Sequence, residues 1–211
     1  VASISHQVDR VIVVDNGSVD GTRDILADFA QNAPIEVIDE PTYDFSQGRL
    51  MTQHALRARE EMGADWILPN DADEFWVPHD GNLPHSIAAD SRDGASILYT
   101  KRYNLFAGWD APEDAPWHER MIYRVATPFP IPKFDDVYRD PRQYPHFYCD
   151  LFGKVTMRAA GLKEIKQGFH HAFFDDEVTQ SDSRMTIYHA PVRTRAQFET
   201  KASNGGTSLQ R

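Results

Sequence analysis

The feature that most limits how this chain can fold is a regular beat of short apolar runs and helical stretches near its start. Arg10-Val11-Ile12-Val13-Val14 is a continuous β-branched run that ends on Asp15, the pattern of a strand buried on both faces. Asn16-Gly17-Ser18-Val19-Asp20-Gly21 follows as a dense turn signal. Thr22 to Gln31 then places Ile25, Leu26 and Phe29 on one helical face, with Asp20 as the expected N-cap. Ile35 to Ile38 reads as a second strand. Ser46 can cap a second helix that carries Leu50, Met51, Ala55, Ala58 and Met62 at three-to-four spacing. Trp66 to Leu68 is a third, bulky run. Strands alternating with helices across short connections predict right-handed crossovers and a mostly parallel, Rossmann-like α/β sheet flanked by helices.

The third run stops at acids: Pro69-Asn70-Asp71-Ala72-Asp73-Glu74-Phe75-Trp76. In an open α/β sheet, ligands bind beyond the C-terminal ends of the strands. Asp71 and Asp73 alternate with Ala72, so in an extended segment their carboxylates face one way. Two hard oxygen donors at a strand end suit Mn²⁺ or Mg²⁺, with a phosphate completing the shell. The plainer reading is a solvated acidic turn. Asp15 ends a strand at the same predicted edge, which favours the site. A calcium loop starting at Asn16 fails, because its closing Glu would fall at Ala27. A dinucleotide Gly-x-Gly-x-x-Gly is absent, which argues against a Rossmann dehydrogenase.

Composition narrows the partners. The 211 residues carry a net charge of −10 and no Lys/Arg cluster, so a nucleic-acid surface is not expected. In so acidic a chain, a phosphate ligand makes a bridging divalent cation more necessary. Cys149 is the single cysteine, which excludes an internal disulfide and a cysteine zinc site. No apolar run approaches the ~18 residues of a transmembrane segment. These points fit a cytoplasmic protein, or one peripheral to the inner face of the membrane.

Val-Ile-Val-Val-Asp-Asn-Gly-Ser-Val-Asp-Gly-Thr, followed by Ala-Asp-Trp-Ile-Leu-Pro-Asn-Asp-Ala-Asp-Glu-Phe, resembles the family 2 glycosyltransferases with a GT-A fold. The likeness covers roughly residues 8 to 105. A weaker one, carried by Gly-Phe-His-His and Tyr-His-Ala-Pro-Val-Arg-Thr-Arg-Ala-Gln-Phe-Glu-Thr-Lys, resembles the C-terminal part of a bacterial subgroup of that family. The resemblance implies that Asp15 contacts the nucleobase of a sugar nucleotide. It implies that Asp71 faces the ribose and metal, and that Asp73 binds the metal directly. Asn16, Ser18, Arg49 and Ala72 are expected to complete the nucleotide-sugar site. The family has a further strand before these motifs; it is expected either to precede Val1 or to be missing here together with part of the donor site. Residues 1–105 are thus expected to form the donor-binding α/β part, and 106–211 the acceptor-binding and C-terminal part of the same domain.

Beyond a strand at Gly94 to Thr100, regularity falls away. Seven prolines lie from Pro112 to Pro145, among Trp109, Trp117, Phe129, Phe134, Tyr138, Tyr144, Phe147 and Tyr148. Aromatic side chains in a long irregular stretch could form a minicore, or platforms for a sugar acceptor. An inverting transfer needs a base for the acceptor hydroxyl. Asp110, Glu113, Asp114 and Glu119 are available, with Asp114 favoured and Glu119 second. Glu74 is expected to orient the metal motif rather than bind the metal. Strands are expected at 152–158, at 162–167 and from Met185 to His189, and a closing helix from Arg195 to Ala202. A third metal ligand is expected from His170, then His189, with His171 also open. Arg193 and Lys201 could neutralise the diphosphate.

The expected chemistry is therefore metal-dependent transfer of a sugar from a nucleotide diphosphate sugar to a glycan or glycoconjugate acceptor. The resemblance implies inversion and a role in cell-surface polysaccharide or glycoconjugate synthesis. A sugar-phosphate nucleotidyltransferase would share the paired acids and metal, but the turn at Asn16-Gly17-Ser18 has no Lys. A non-catalytic nucleotide-sugar or glycan binding module is the remaining alternative.

Overall fold

The computed structural model describes residues 3–40, 46–108, 111–112, 114–130, 148–197 and 199. In order, the elements are β1 (Val11–Asp15), α1 (Thr22–Ala30), β2 (Ile35–Asp39), α2 (Gln47–Met62), β3 (Trp66–Ile67) and β4 (Glu74–Val77). Then come α3 (Leu83–Asp90), β5 (Ile97–Asn104), α4 (Trp117–Arg120), β6 (Lys154–Arg158), β7 (Leu162–Ile165), β8 (Ala172–Phe174) and β9 (Gln180–His189). A 3₁₀ turn, Gln167–Phe169, joins β7 to β8.

The chain divides into two compact units. One holds Val1–Ala72, Trp76–Thr100 and Lys154–Met185; the other holds Asp73–Phe75, Lys101–Gly153 and Thr186–Arg211. Their boundary falls inside the acidic motif, so Asp71 and Asp73 belong to different units.

The first unit contains the predicted strand–helix–strand beat, and its first pairing is as expected. β1 and β2 are parallel, in register from Val11 with Ile35 to Asp15 with Asp39. The expectation of a mostly parallel sheet is corrected beyond that pair. The larger sheet has the order β3-β6-β5-β9-β4, and β3 with β6, β5 with β6 and β7 with β8 are all antiparallel. The reason is topological. β3 does not extend the β1–β2 pair but lies beside β6, a strand from much later in the chain that runs the opposite way.

Burial on both faces of β1 is also corrected. β1 pairs in a two-stranded sheet, so Val11 to Val14 are half-buried and only Asp15 is fully buried. The N-cap of α1 is Gly21, with φ 83°, rather than Asp20. Asp20 instead accepts from the Thr22 amide at 3.2 Å and the Thr22 hydroxyl at 2.6 Å, a local turn just before the helix. Ser46 is the N-cap of α2 as expected, though its side chain makes no capping bond.

The core of this unit is Ala55, Ile67, Ile97, Val155, Met157, Ala159, Leu162, Ile165 and Phe169. The apolar face of α2 packs there, and Gly48 is what lets the helix come close. A Cβ at Gly48 would stand 2.9 Å from the Gln167 nitrogen and 3.1 Å from the Ile165 oxygen. α3 was not foreseen. Asn82 caps it by accepting from the His85 amide at 2.8 Å, and Pro84 sits in its first turn, a signal readable in the sequence.

Candidate functional site

Asp15 ends β1, where the parallel pairing with β2 brings Asp39 opposite. Its side chain is 4% exposed and accepts from the Arg23 Nε at 2.7 Å and from the Ser18 amide at 3.2 Å. Arg23, the second residue of α1, also pairs with Asp39. The hydrogen bond from Ser18 holds the Asp15 carboxyl below its ordinary range; burial opposes this, and Arg23 assists. Asp15, Arg23, Ala27, Val37 and Asp39 line a cavity of about 210 Å³. Asn16 is exposed and braces the turn by donating to the Glu40 carbonyl at 2.7 Å.

Asp71 is held by two donors. Gln47 Nε2 reaches its Oδ1 at 2.7 Å, and the Lys154 ammonium pairs with its Oδ2. Lys154 opens β6, is 1% exposed, and lies 4.7 Å from the centre of the Phe169 ring. A relay supports Gln47: Gln167 donates to it at 3.4 Å and accepts from the Gly48 amide at 2.9 Å. Sequence reasoning missed Lys154. The available signal was a lysine at the head of the otherwise uncharged run Val155-Thr156-Met157.

Asp73 lies in the second unit and faces His189, the last residue of β9. The Asp73 Oδ1 is 3.4 Å from the His189 Nε2, and both side chains are 13% exposed. Backbone bonds fix both ends of this contact. The Ala190 amide donates to the Asp73 carbonyl at 2.8 Å, and the Leu105 amide to the His189 carbonyl at 2.7 Å. On the far side of the ring, His189 Nδ1 is 2.8 Å from the oxygen of buried Asn104. An oxygen there requires the proton on Nδ1, so a neutral His189 turns a bare lone pair toward Asp73. Two lone-pair atoms 3.4 Å apart call for a shared proton or a cation between them. Glu74, the next residue, is anchored by Arg102 Nη1 at 3.1 Å, with its side chain fully buried.

This donor set fits part of a Mn²⁺ or Mg²⁺ site, one carboxylate oxygen and one imidazole nitrogen, with the remaining positions open to phosphate and water. No group of three or more His, Cys, Asp or Glu side chains is gathered tightly enough to hold a metal ion by itself among the described residues.

The other predicted residues are placed as follows. Arg49 and Ala72 are exposed, and Ser18 is half-buried beside Asp15. His170 is half-buried and follows the 3₁₀ turn in the first unit, where Gly168 has φ 77° and a Cβ on it would meet the His170 ring at 2.8 Å. His171 is exposed. Residues 195–197 and 199 are helical, as expected at the closing helix. Lys201, Asp110, Glu113, Trp109, Phe134, Tyr138, Tyr144 and Phe147 lie outside the described residues.

The second unit also carries a cavity of about 450 Å³. Phe75, Trp117 and Tyr188 supply aromatic walls, and His118 and Arg124 supply polar ones. Phe75 and Trp117 are 5.4 Å apart, tilted. Arg193 stacks on Trp117 at 5.4 Å, and its carbonyl accepts from Arg120 at 3.1 Å. Asp114 is exposed. Glu119, on the short α4, is also exposed and faces His118 at 3.9 Å. Phe75 and Tyr188 lie close in the chain to Asp73 and His189, all within one unit.

The family model for Glycosyl transferase family 2 matches residues 1–165. The match spans both acidic motifs and stops before β9, which bears His189. No curated protein matches the chain.

Proposed function

The chain belongs to glycosyl transferase family 2, and on that premise we propose that it is a metal-dependent, inverting enzyme that uses a nucleotide diphosphate sugar. The observation that carries this reading is the Asp73–His189 pair, whose facing lone pairs and Asn104-fixed tautomer suit a divalent cation. Mn²⁺ or Mg²⁺ bound there supplies Lewis-acid stabilisation of the charge on the departing diphosphate. Asn104 fixes the ring of His189 so that Nε2, not Nδ1, is the ligand atom. Glu74, clamped by Arg102, holds the backbone beside Asp73.

Asp15 supplies an ionised acceptor for the N–H groups of a nucleobase, in a cavity whose floor includes Ala27 and Val37. Asn16 and Ser18 keep the turn around it in place. Lys154 pairs with Asp71 and holds it oriented toward the ribose rather than leaving it as a second free charge. The aromatic cavity receives the glycan or glycoconjugate acceptor, and a carboxylate near it takes the proton of the attacking hydroxyl. Glu119 has the better support for that role, because His118, which its carboxylate faces, lines the cavity. Asp114 is the second choice. Arg193 lies on the Trp117 ring, where its charge can meet a phosphate.

Isothermal titration with UDP, GDP and dTDP, with and without Mn²⁺, tests the reading. Binding of one of them that depends on Mn²⁺, and is lost in Asp73→Asn and His189→Ala, is the expected result. Mn²⁺ affinity unchanged in both variants would overturn the metal assignment.

A further inference from the structure

We propose that the aromatic cavity of the second unit selects an acceptor bearing an anionic group, a carboxylate or a phosphate on its sugar. This rests on the glycosyltransferase reading and deepens it by naming a class of acceptor. The whole chain carries a net charge of −10, with 32 acidic residues. None of the described residues that line this cavity is acidic; instead the wall contains the Arg124 guanidinium and the His118 imidazole.

Arg124 is exposed but makes two contacts that hold it. Its guanidinium stacks on the Tyr103 ring at 4.4 Å and points an Nη1 toward the Val125 carbonyl at 3.4 Å. A second cation stands by the same wall, with Arg193 stacked on Trp117. Glu119, the carboxylate beside His118, is not among the lining residues, and its side chain is 63% exposed.

Each part answers to one part of such a ligand. The Phe75, Trp117 and Tyr188 rings offer flat apolar surface for a pyranose face. A guanidinium stacked on a ring keeps its remaining N–H donors free to fork onto a carboxylate or phosphate, at little loss of side-chain entropy. A neutral sugar would use the rings and leave the cations hydrated. An anionic sugar would use both.

The test is a set of saturation-transfer NMR titrations of the full chain, without nucleotide, with three disaccharides: cellobiose, cellobiouronic acid and cellobiose 6′-phosphate. At least one anionic form is expected to bind about tenfold more tightly than cellobiose, the scale of one charge-assisted hydrogen bond. Which of the two binds better identifies the anionic group. Arg124→Gln is expected to remove the preference, and Trp117→Ala to weaken binding of every sugar. On the unaltered protein, the preference is expected to shrink as salt rises from about 0.05 to about 0.5 M. Equal affinities, binding of none of the three, or a preference that survives both Arg124→Gln and high salt would overturn the proposal. Failure of the donor reading would show separately, as absence of Mn²⁺-dependent nucleoside diphosphate binding with no glycan present.

Discussion

Asp71 and Asp73 are two identical side chains in one short motif, and their surroundings give them opposite characters. Asp71 is met by an ammonium and an amide donor, so its charge is answered by the protein. Asp73 is met by the His189 imidazole, whose Nδ1 is engaged by Asn104 and whose Nε2 faces the carboxylate, an arrangement that a proton or a cation can bridge. The spacing of a D-x-D motif therefore does not by itself assign both acids to the metal. The partner that each carboxylate finds in its own unit decides what it can bind, and those partners come from β6 and β9, far along the chain.

The largest effect that would break this contrast is at Lys154. Lys154→Met keeps most of the side-chain volume against Phe169 but strips Asp71 of its counter-ion. Lys154 is buried and Asp71 is half-buried, so removing the ammonium leaves a partly desolvated charge uncompensated, and we expect a loss of about 3 kcal/mol in urea denaturation, the low end for a buried pair. Lys154→Met combined with Asp71→Asn should recover most of it, because the orphaned charge is then gone. A cost under about 1 kcal/mol for Lys154→Met, typical of an exposed pair, would show that Asp71 is not held as described.

Asp73→Asn should do the reverse: little to stability, much to metal. With one of the two protein donors lost, we expect Mn²⁺ affinity to fall about 100-fold, or about 2.7 kcal/mol. Asp71→Asn should change it far less. Titration of Mn²⁺ by electron paramagnetic resonance on both variants compares the two acids directly. Equal losses would make them joint ligands and dissolve the distinction.

Much of the first unit was legible in the sequence. The β-branched run that ends on Asp15, the Gly-rich turn and the apolar face of α2 are local signals, and each element formed where those signals stand. What was not legible is what depends on distant pairing. Trp66 to Leu68 reads as a strand, but nothing in those residues tells that β6 will lie beside it, antiparallel. β4 was not legible because Glu74, Phe75 and Trp76 directly follow the acidic motif and pair only with a strand from far along the chain. That His189 meets an acid depends on the course of β9, which brings it to both Asn104 and Asp73. A lysine at a strand end is ordinarily solvated, whereas β6 is buried from Lys154 to Met157.

A smaller effect sharpens the Asp71 side of the contrast. Gly48 allows α2 to press against the backbone at Ile165 and Gln167, and its amide anchors the Gln167–Gln47 relay that ends on Asp71. Gly48→Ala adds a methyl group where backbone atoms stand 2.9 and 3.1 Å away. Helix propensity would favour the alanine by about 1 kcal/mol, but overpacking against backbone costs about 1–3 kcal/mol. We expect a net loss of about 1 kcal/mol by thermal or urea unfolding, together with a shift in the Gln47 side-chain amide resonances. A gain in stability would mean that α2 does not pack this closely.

The smallest expected effect concerns a third carboxylate, Asp15, which resembles Asp71 in being answered by the protein. Its pKa is depressed in the folded state, first by the Ser18 hydrogen bond and then by Arg23, against the pull of burial. The unfolded chain therefore binds the proton more readily, and stability rises with pH through that window. The contribution of Asp15 is fully present above about pH 4, the ordinary carboxylate value, and is lost as pH falls through the depressed folded value. Ser18→Ala should bring the folded pKa back toward the ordinary value and flatten the acid limb, with stability near pH 7 falling by about 1 kcal/mol. Urea midpoints measured from pH 7 down to pH 3 in both proteins give the comparison. Parallel acid limbs would show that the Ser18 hydroxyl does not hold this carboxylate, and that Asp15 relies on the Ser18 amide and Arg23.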